Sequence, residues 1–157
     1  MSISLYEFAD ELNKIMPVII KEFGRRHANE LYKGKITLPQ LLILNFLNEK
    51  GESRMTDLAH FMKVSTAAMT GLIERLVKYN YVCRVYDPGD RRIIKVELTL
   101  KGRELVRKTN QQRRSMIIDV FGRISERERA EYLKILTRIK EILAREGESK
   151  CKNRAWY

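Results

Sequence analysis

The stretch over residues 55–102 most constrains what this chain can fold into, because two short amphipathic helices are followed there at once by two β-forming segments. In the first helix, Thr56 is the expected N-cap. One face of this helix is apolar and carries Leu58, Ala59 and Phe61. Ser65 is a second N-cap soon afterwards, so the two helices are expected to meet across a very tight turn.

The second helix has apolar residues at i, i+3, i+4, i+7 and i+8 spacing, which are Met69, Leu72, Ile73, Leu76 and Val77. This spacing buries one stripe of a helix. The opposite face is small at its start and basic further on, which suits a helix end that enters a DNA groove between phosphates. The candidate DNA contacts here are Ser65, Thr66, Ala68, Thr70, Arg75 and Lys78. For Ser65, a role as cap alone is the alternative.

Residues 81–86 and 93–98 are rich in β-branched and aromatic side chains, and the sequence PGD between them has strong turn chemistry. Helix, tight turn, helix and hairpin in this order predict a winged helix-turn-helix. We therefore expect a mainly α chain with a small β-wing.

The wing sequence resembles that of a known family. Residues 90–102, DRRIIKVELTLKG, resemble the signature Asp-x-Arg followed by Leu-Thr-x-x-Gly of the multiple-antibiotic-resistance regulator (MarR) family. TLPQ at 37–40 and RLVKYNYVCR at 75–84 also resemble family blocks, and the resemblance extends to about Ala144. Gly71 departs from the pattern, since an arginine is common there. Asn80 stands where a glycine usually ends the helix, and asparagine tolerates the left-handed conformation needed.

The resemblance implies a single domain over residues 1–146 with six helices, in which residues 37–98 form the winged helix-turn-helix. The dimerisation helices, at 3–31 and 100–146, would interlock with those of a second subunit. It also implies a homodimeric repressor that binds a pseudo-palindromic operator in double-stranded DNA. Many relatives are released from DNA by a small aromatic ligand. Residues 147–157 are mostly polar and are expected to form a flexible tail.

The terminal segments carry apolar stripes that themselves predict a dimer. Apolar residues repeat at three- and four-residue steps from Leu5 to Phe23, and Pro17 predicts a kink or a break in this first helix. The last helix, capped by Ser125 and Glu128, has an a/d-like seam of Tyr132, Ile135, Leu136, Ile139, Ile142 and Leu143. Both stripes are long for so small a domain, so burial against a second subunit is expected.

Capping residues place the remaining helix boundaries. Thr37 and Gln40 form a capping box for a helix that ends near Glu49, and Thr99 caps a fifth helix. We expect the fifth helix to end at about Gly122 and the last one at about Glu146.

At the predicted wing tip, Arg92 is the first candidate contact, because a guanidinium at a hairpin tip can reach a narrow, A·T-rich minor groove. Asp90 is expected to hold a neighbouring arginine by charge-assisted hydrogen bonds. Arg91 and Lys95 are further candidates, as contacts to phosphates. The alternative is that all four are ordinary solvated charges of a turn.

Composition narrows the partners and the compartment. The net charge of +11 favours a polyanionic partner, either nucleic acid or an acidic membrane surface, although a generally basic surface explains part of it. Two distant cysteines, an N-terminus unlike a signal peptide and short apolar runs indicate a cytoplasmic protein without a membrane span. The sequence contains no recognisable enzyme motif, cofactor motif or metal-ligand cluster, so no cofactor and no enzymatic activity are expected.

Three residues are candidates for an effector cleft by helix position alone: Phe23, His27 and Phe46. Two rival functions stay open. One is a winged helix that binds proteins and not DNA. The other is a regulator that senses redox state through Cys83, although a half-buried inert thiol on a wing strand is the plainer interpretation.

Overall fold

The computed structural model of the chain describes residues 3–26, 36–87, 89–90 and 93–152. Contacts divide the chain into two compact units, Met1–Arg114 and Ser115–Tyr157. His27, Arg91, Arg92 and the expected end of the first helix near Leu31 lie outside the described residues.

The described residues form six helices and three short strands. In chain order they are α1 (Leu5–Arg26), α2 (Leu38–Lys50), β1 (Ser53–Arg54), α3 (Met55–Met62), α4 (Thr66–Lys78), β2 (Val82–Tyr86), β3 (Ile94–Leu98), α5 (Leu100–Phe121) and α6 (Glu126–Lys152). The predicted fold class, mainly α with a winged helix-turn-helix, is confirmed.

The strands form an antiparallel sheet in the order β1-β3-β2. In the hairpin, Val82 lies opposite Leu98 and Tyr86 lies opposite Ile94. β1 pairs only with the inner part of β3, where Arg54 lies opposite Lys95. The sequence does not predict β1, because two residues are too few for strand alternation to show.

The core of the first unit lies between α2, α3, α4, the sheet and the start of α5. Its fully buried apolar side chains are Ile43, Leu44, Leu58, Met69, Ile73, Leu76, Val82, Val96 and Val106. Truncating a buried leucine or isoleucine to alanine typically costs about 2–5 kcal/mol, so this cluster accounts for much of the stability of the unit. Leu42 of α2 lies outside this core and is 42% exposed.

Most of the predicted helix caps are present. The side-chain oxygen of Ser65 accepts a hydrogen bond from the Ala68 N–H at 3.2 Å. Thr56 is not a cap: α3 begins at Met55, and Arg54 is its N-cap. The reason is that β1 keeps the chain extended up to Arg54, whose N–H then donates to the Asp57 carboxylate at 3.3 Å.

Among the described residues other than glycine, two adopt the left-handed conformation. Asn80, with φ of 58°, ends the segment after α4, as expected from its position in the sequence. Lys63, with φ of 53°, makes the tight turn between α3 and α4 and was not anticipated, because lysine has no particular preference for this conformation. The Val64 N–H then donates to the Ala59 carbonyl at 3.1 Å, which closes the end of α3.

α1 continues through Pro17, so of the predicted kink or break the break does not occur. The end of the last helix differs from expectation. α6 continues to Lys152 and not to about Glu146. Gly147 disfavours a helix by only about 1 kcal/mol, which the helix-forming residues after it can offset.

Long apolar stripes remain uncovered within each unit. In the first unit, the α1 stripe residues from Leu5 to Ile19 are each at least 40% exposed. In the second unit, the seam residues of α6 from Tyr132 to Leu143 are each at least 42% exposed, although the ring of Tyr132 packs on Phe121. Contiguous exposed apolar surface of this length is typical of an interaction site.

The start of α5 packs very closely on the start of β2. A Cβ atom added to Gly102 would lie 2.0 Å from the Tyr81 carbonyl oxygen and 3.2 Å from Leu98 Cδ2. Only glycine permits this approach. The Tyr81 carbonyl also accepts a hydrogen bond from the Thr99 N–H at 3.1 Å, so the two segments are held together on both sides of the contact.

Gly102→Ala is therefore expected to destabilise the protein by about 2–3 kcal/mol, because backbone and not a flexible side chain must move. Gly71→Ala is the matched control, since nothing lies within 4 Å of a Cβ at that helical position. The control is expected to stabilise the protein by up to about 1 kcal/mol. Urea unfolding followed by circular dichroism at one protein concentration measures both, and wild-type stability of Gly102→Ala would contradict the account.

Candidate nucleic-acid interface

Burial of one stripe of α4 determines which of its residues face solvent. Met69, Ile73 and Leu76 are fully buried in the core. The opposite face is exposed and carries Ser65, Thr66, Ala68, Gly71, Arg75 and Lys78. α4 therefore presents small and hydroxyl side chains near its N-terminus and two cations near its C-terminus.

Thr70 is half-buried at the edge of this face. Its hydroxyl donates a hydrogen bond to the Thr66 carbonyl at 2.9 Å, one turn earlier in α4. The hydroxyl proton is therefore used within the helix, and the oxygen lone pairs remain as acceptors. Thr70 is suited to accept a hydrogen bond from a base amino group or a bridging water.

Gln40 fixes α4 against α2. Its side chain is 2% exposed, and its Oε1 accepts a hydrogen bond from the Thr37 N–H at 3.0 Å. Its Nε2 donates to the Leu72 carbonyl of α4 at 3.4 Å. The sequence predicts only the capping role of Gln40, because its second partner, Leu72, is distant along the chain.

The C-terminal end of α4 is held by the start of α5. The Thr99 hydroxyl donates to the Asn80 carbonyl at 2.7 Å, and the same oxygen accepts from the Gly102 N–H at 3.1 Å. Lys101 Nζ donates to the Tyr79 carbonyl at 2.9 Å and lies 4.9 Å from the centre of the Tyr81 ring. Lys101 was not among the predicted residues, and a lone lysine inside a helix gives no sequence signal for such a role.

The wing turn is organised by Asp87. Its Oδ1 accepts from the Gly89 N–H at 2.9 Å, and its own N–H donates to the Ile93 carbonyl at 3.0 Å. Asp90 is exposed, and its carbonyl accepts from the Ile93 N–H at 2.9 Å. Since Arg91 and Arg92 lie outside the described residues, the expected pairing of Asp90 with an arginine stays a prediction.

Lys95, which was predicted as a phosphate contact, lies between two carboxylates. Its Nζ lies 2.5 Å from Glu52 Oε1 and 2.9 Å from Asp87 Oδ2. Hydrogen bonds to Glu52 and then Asp87 raise the pKa of Lys95, and the hydrogen bond from Lys95 is the main cause that lowers the pKa of Asp87. Both shifts favour the charged forms, so the pairing of Lys95 with Asp87 persists at neutral pH. It is lost on acidification through the lowered pKa of Asp87, and at alkaline pH through the raised pKa of Lys95.

Cys83 lies half-buried on β2, opposite Glu97 on β3. Its Sγ is 3.5 Å from Glu97 Oε1. Burial raises the pKa of the Cys83 thiol, and the hydrogen bond to Glu97 and the negative charge of that residue raise it further. These surroundings oppose the thiolate, which is the reactive form of cysteine.

The candidate effector residues are not brought together by a described contact. Phe46 packs on Phe61 of α3, with ring centroids 4.3 Å apart. Phe23 is half-buried in α1, and His27 lies outside the described residues. Within the described residues, no group of three His, Cys, Asp or Glu side chains is arranged to hold a metal ion. None of the helices described is both long and apolar enough to cross a membrane.

Comparisons with known proteins agree with this geometry. The MarR family model matches residues 36–94. The HTH-type transcriptional regulator YsmB of Bacillus subtilis is 31% identical over 127 residues, which cover 81% of this chain and 85% of YsmB.

Solved structures share the fold. The crystal structure of RV1404 from Mycobacterium tuberculosis has a TM-score of 0.77 at 26% identity and covers 90% of this chain and 95% of its own. FabT from Streptococcus pneumoniae, crystallised in complex with DNA, has a TM-score of 0.74 at 20% identity, and the match covers 90% of this chain and 98% of FabT. The similarity to YsmB extends over 81% of this chain, and the MarR family model matches the residues of its winged helix-turn-helix. The chain therefore belongs to the MarR family, a family of transcriptional regulators and not of enzymes.

Proposed function

We propose that this chain is a cytoplasmic, homodimeric repressor that binds a pseudo-palindromic operator in double-stranded DNA. The observation that carries the proposal is the presentation of α4. Met69, Ile73 and Leu76 of its apolar stripe are fully buried, and Gln40 and Lys101 hold the body and the end of the helix. Its exposed face carries small and hydroxyl side chains first and the cations Arg75 and Lys78 further on. A rigidly held helix with such a face is suited to the major groove.

The proposed contacts divide by chemistry. The small and hydroxyl residues at the start of α4 would meet bases and nearby phosphates: Ser65, Thr66, Ala68 and Thr70. Arg75 and Lys78, further along, would meet phosphates. At the wing, Arg92 would enter the minor groove and Arg91 a phosphate, with Asp90 holding an arginine in place. Lys95 is left out of this set, because its charge is already compensated by Glu52 and Asp87.

Dimerisation is supported by the uncovered apolar stripes of α1 and α6, each considered within its own unit. We propose that residues 3–31 and 100–146 form the dimerisation helices and residues 37–98 the DNA-binding part of a single domain over 1–146, followed by a flexible end. Two symmetry-related α4 helices about 34 Å apart would then enter successive major grooves. Repression would be steric, and a small aromatic ligand that changes this spacing would release the DNA.

The rival function as a protein-binding winged helix also accommodates the fold, and it predicts weak DNA binding without sequence preference. The rival based on Cys83 oxidation is disfavoured by the surroundings of the thiol. Burial and Glu97 both raise the pKa of Cys83, whereas redox-sensing cysteines have a lowered pKa and ready access.

Thr70→Ala and Arg92→Ala should weaken operator binding in different ways. Thr70→Ala is expected to change which sequences are preferred, at a cost of about 1–3 kcal/mol, with the salt dependence nearly unaltered. Arg92→Ala should weaken binding most at sites with A·T-rich flanks and reduce the salt dependence by about one phosphate equivalent. Titration of selected duplexes at several salt concentrations measures both effects.

The control for this pair is Thr70→Ser, which keeps the hydroxyl and should retain the wild-type sequence preference. Equal and unselective losses for Thr70→Ala and Arg92→Ala would mean that the DNA-facing surface is misassigned. Unchanged binding by both variants would favour the protein-binding rival.

The chain is expected to sediment as a dimer at micromolar concentration, because the exposed stripe of α1 needs a cover. Replacing Leu12 and Ile19 by lysine should shift the equilibrium toward monomer. The controls are Asp10→Lys and Lys14→Glu, at two exposed polar positions of the same helix. A folded wild-type monomer at this concentration would exclude the proposed dimer.

Cys83 is expected to be a slow nucleophile. In a Cys151→Ser background, alkylation of native protein at neutral pH should be at least about tenfold slower than that of the same protein unfolded in urea, because the raised pKa and burial reduce the accessible thiolate. Equal rates would restore the redox rival.

A further inference from the structure

Three charged residues from separate parts of the chain meet at the end of the hairpin next to the wing turn, and we call this group the wing clamp: Glu52, Asp87 and Lys95. Glu52 directly precedes β1, Asp87 directly follows β2, and Lys95 lies on β3. Lys95 Nζ bridges the two carboxylates at 2.5 Å and 2.9 Å. The Lys95 side chain is only 19% exposed and that of Asp87 22%, so the central pair is largely shielded from solvent.

We propose that Lys95 is a positioning residue for DNA binding: through Glu52 and Asp87 it fixes the direction of the wing, and it does not itself neutralise a phosphate. The proposal rests on the proposed function and adds to it the means by which the wing tip is aimed. It replaces the assignment of Lys95 as a direct contact.

The clamp lies where the third strand of the sheet ends. β1 pairs with β3 at Val96 and Lys95 and extends no further toward the tip. From Ile94 outward, the described hairpin has only the pairing between β2 and β3. A two-stranded ribbon alone is marginally stable and twists easily, so the direction of the turn must be determined where the third strand ends. The clamp lies at this transition from three strands to two.

Apolar packing offers little alternative support for the outer wing. Tyr86 and Ile94 form its last cross-strand pair, and they are 67% and 39% exposed. The carboxylate of Asp87 instead links the clamp to the turn, since Oδ2 contacts Lys95 and Oδ1 accepts from the Gly89 N–H. Asp87 therefore connects β3 to the turn, and Lys95 extends this connection to Glu52 before β1.

The charge of the clamp is a further argument. The clamp carries two carboxylates against one ammonium group, so a DNA phosphate approaching Lys95 would meet a net negative cluster. A direct contact would require the phosphate to displace both carboxylates. Because the clamp lies at the protein surface and Glu52 is half-exposed, its ion pairs contribute little to global stability, and the value of the clamp is geometric.

Replacing Glu52 distinguishes a positioning effect from a simple electrostatic effect, because the two predict opposite changes in the affinity for DNA. Glu52→Gln removes a negative charge from a DNA-binding protein, and simple electrostatics predicts tighter binding. Positioning predicts weaker binding, by about tenfold, because Lys95 loses one anchor and the wing tip is misdirected. Glu49→Gln is the matched control, since Glu49 is an exposed residue on α2 outside the clamp. The probe is the duplex that wild-type protein enriches from a random-sequence pool.

A double-mutant cycle tests whether Lys95 acts through the wing tip. If it does, Lys95→Gln should cause little further loss in an Arg92→Ala background, because the contact it directs is already absent. If Lys95 contacts a phosphate independently, the losses should add and the salt dependence should fall by about two phosphate equivalents in the double variant. Binding by Glu52→Gln as tight as by Glu49→Gln, or additive losses in the cycle, would overturn the proposal.

Hydrogen exchange in free protein tests the clamp without DNA. The Asp87, Gly89 and Ile93 amides are hydrogen-bonded within the wing. In Lys95→Gln they should exchange at least about tenfold faster, while the amides of α4 keep wild-type rates. If these wing amides exchange at wild-type rates in Lys95→Gln, the proposed positioning role of Lys95 is wrong. If wild-type protein enriches no duplex, the proposed function fails, and exchange alone then decides whether Lys95 orders the wing.

Discussion

The close approach of Gly102 to the Tyr81 carbonyl is the contact on which the arrangement of this protein depends. The Tyr81 N–H donates to the Leu76 carbonyl and so closes α4, while its own carbonyl accepts from the Thr99 N–H at the start of α5. A single residue thus joins the end of α4, the start of β2 and the start of α5. Within the first unit, the start of α5 therefore holds the end of α4 in place.

The apolar core of the first unit contains no residue of α1, so the residues that stabilise this unit differ from those proposed to form the dimer. α2, α3, α4 and the sheet bury one another, whereas the apolar stripe of α1 stays exposed. The winged helix-turn-helix therefore has its own apolar cluster, and the remaining hydrophobic surface is available for association. A dimer formed in this way places two α4 helices at a spacing determined by the packing of the dimerisation helices.

Net charge alone is a poor guide to the DNA-facing surface of this protein. The chain carries a formal charge of +11, but its cations have different partners. Lys95 is enclosed by two carboxylates, and Lys101 holds a backbone carbonyl at the end of α4. Arg75 and Lys78 lie exposed on α4. These lysines and arginines differ in the acceptor groups that lie nearest to them, and only folding brings those groups next to the cations.

Local patterns in the sequence determined the elements of this protein: the buried stripe of α4, the cap at Ser65, the hairpin and the left-handed Asn80 all depend on neighbours within a few residues, and each was predictable. β1 and the N-cap at Arg54 were not, because both depend on pairing with β3, some forty residues later in the chain. The same reason applies to the second bond of Gln40 and to the wing clamp. Hydrogen bonds and ion pairs between distant segments have no sequence period, so only the tertiary structure decided which polar residues are left for a partner and which ones hold the fold.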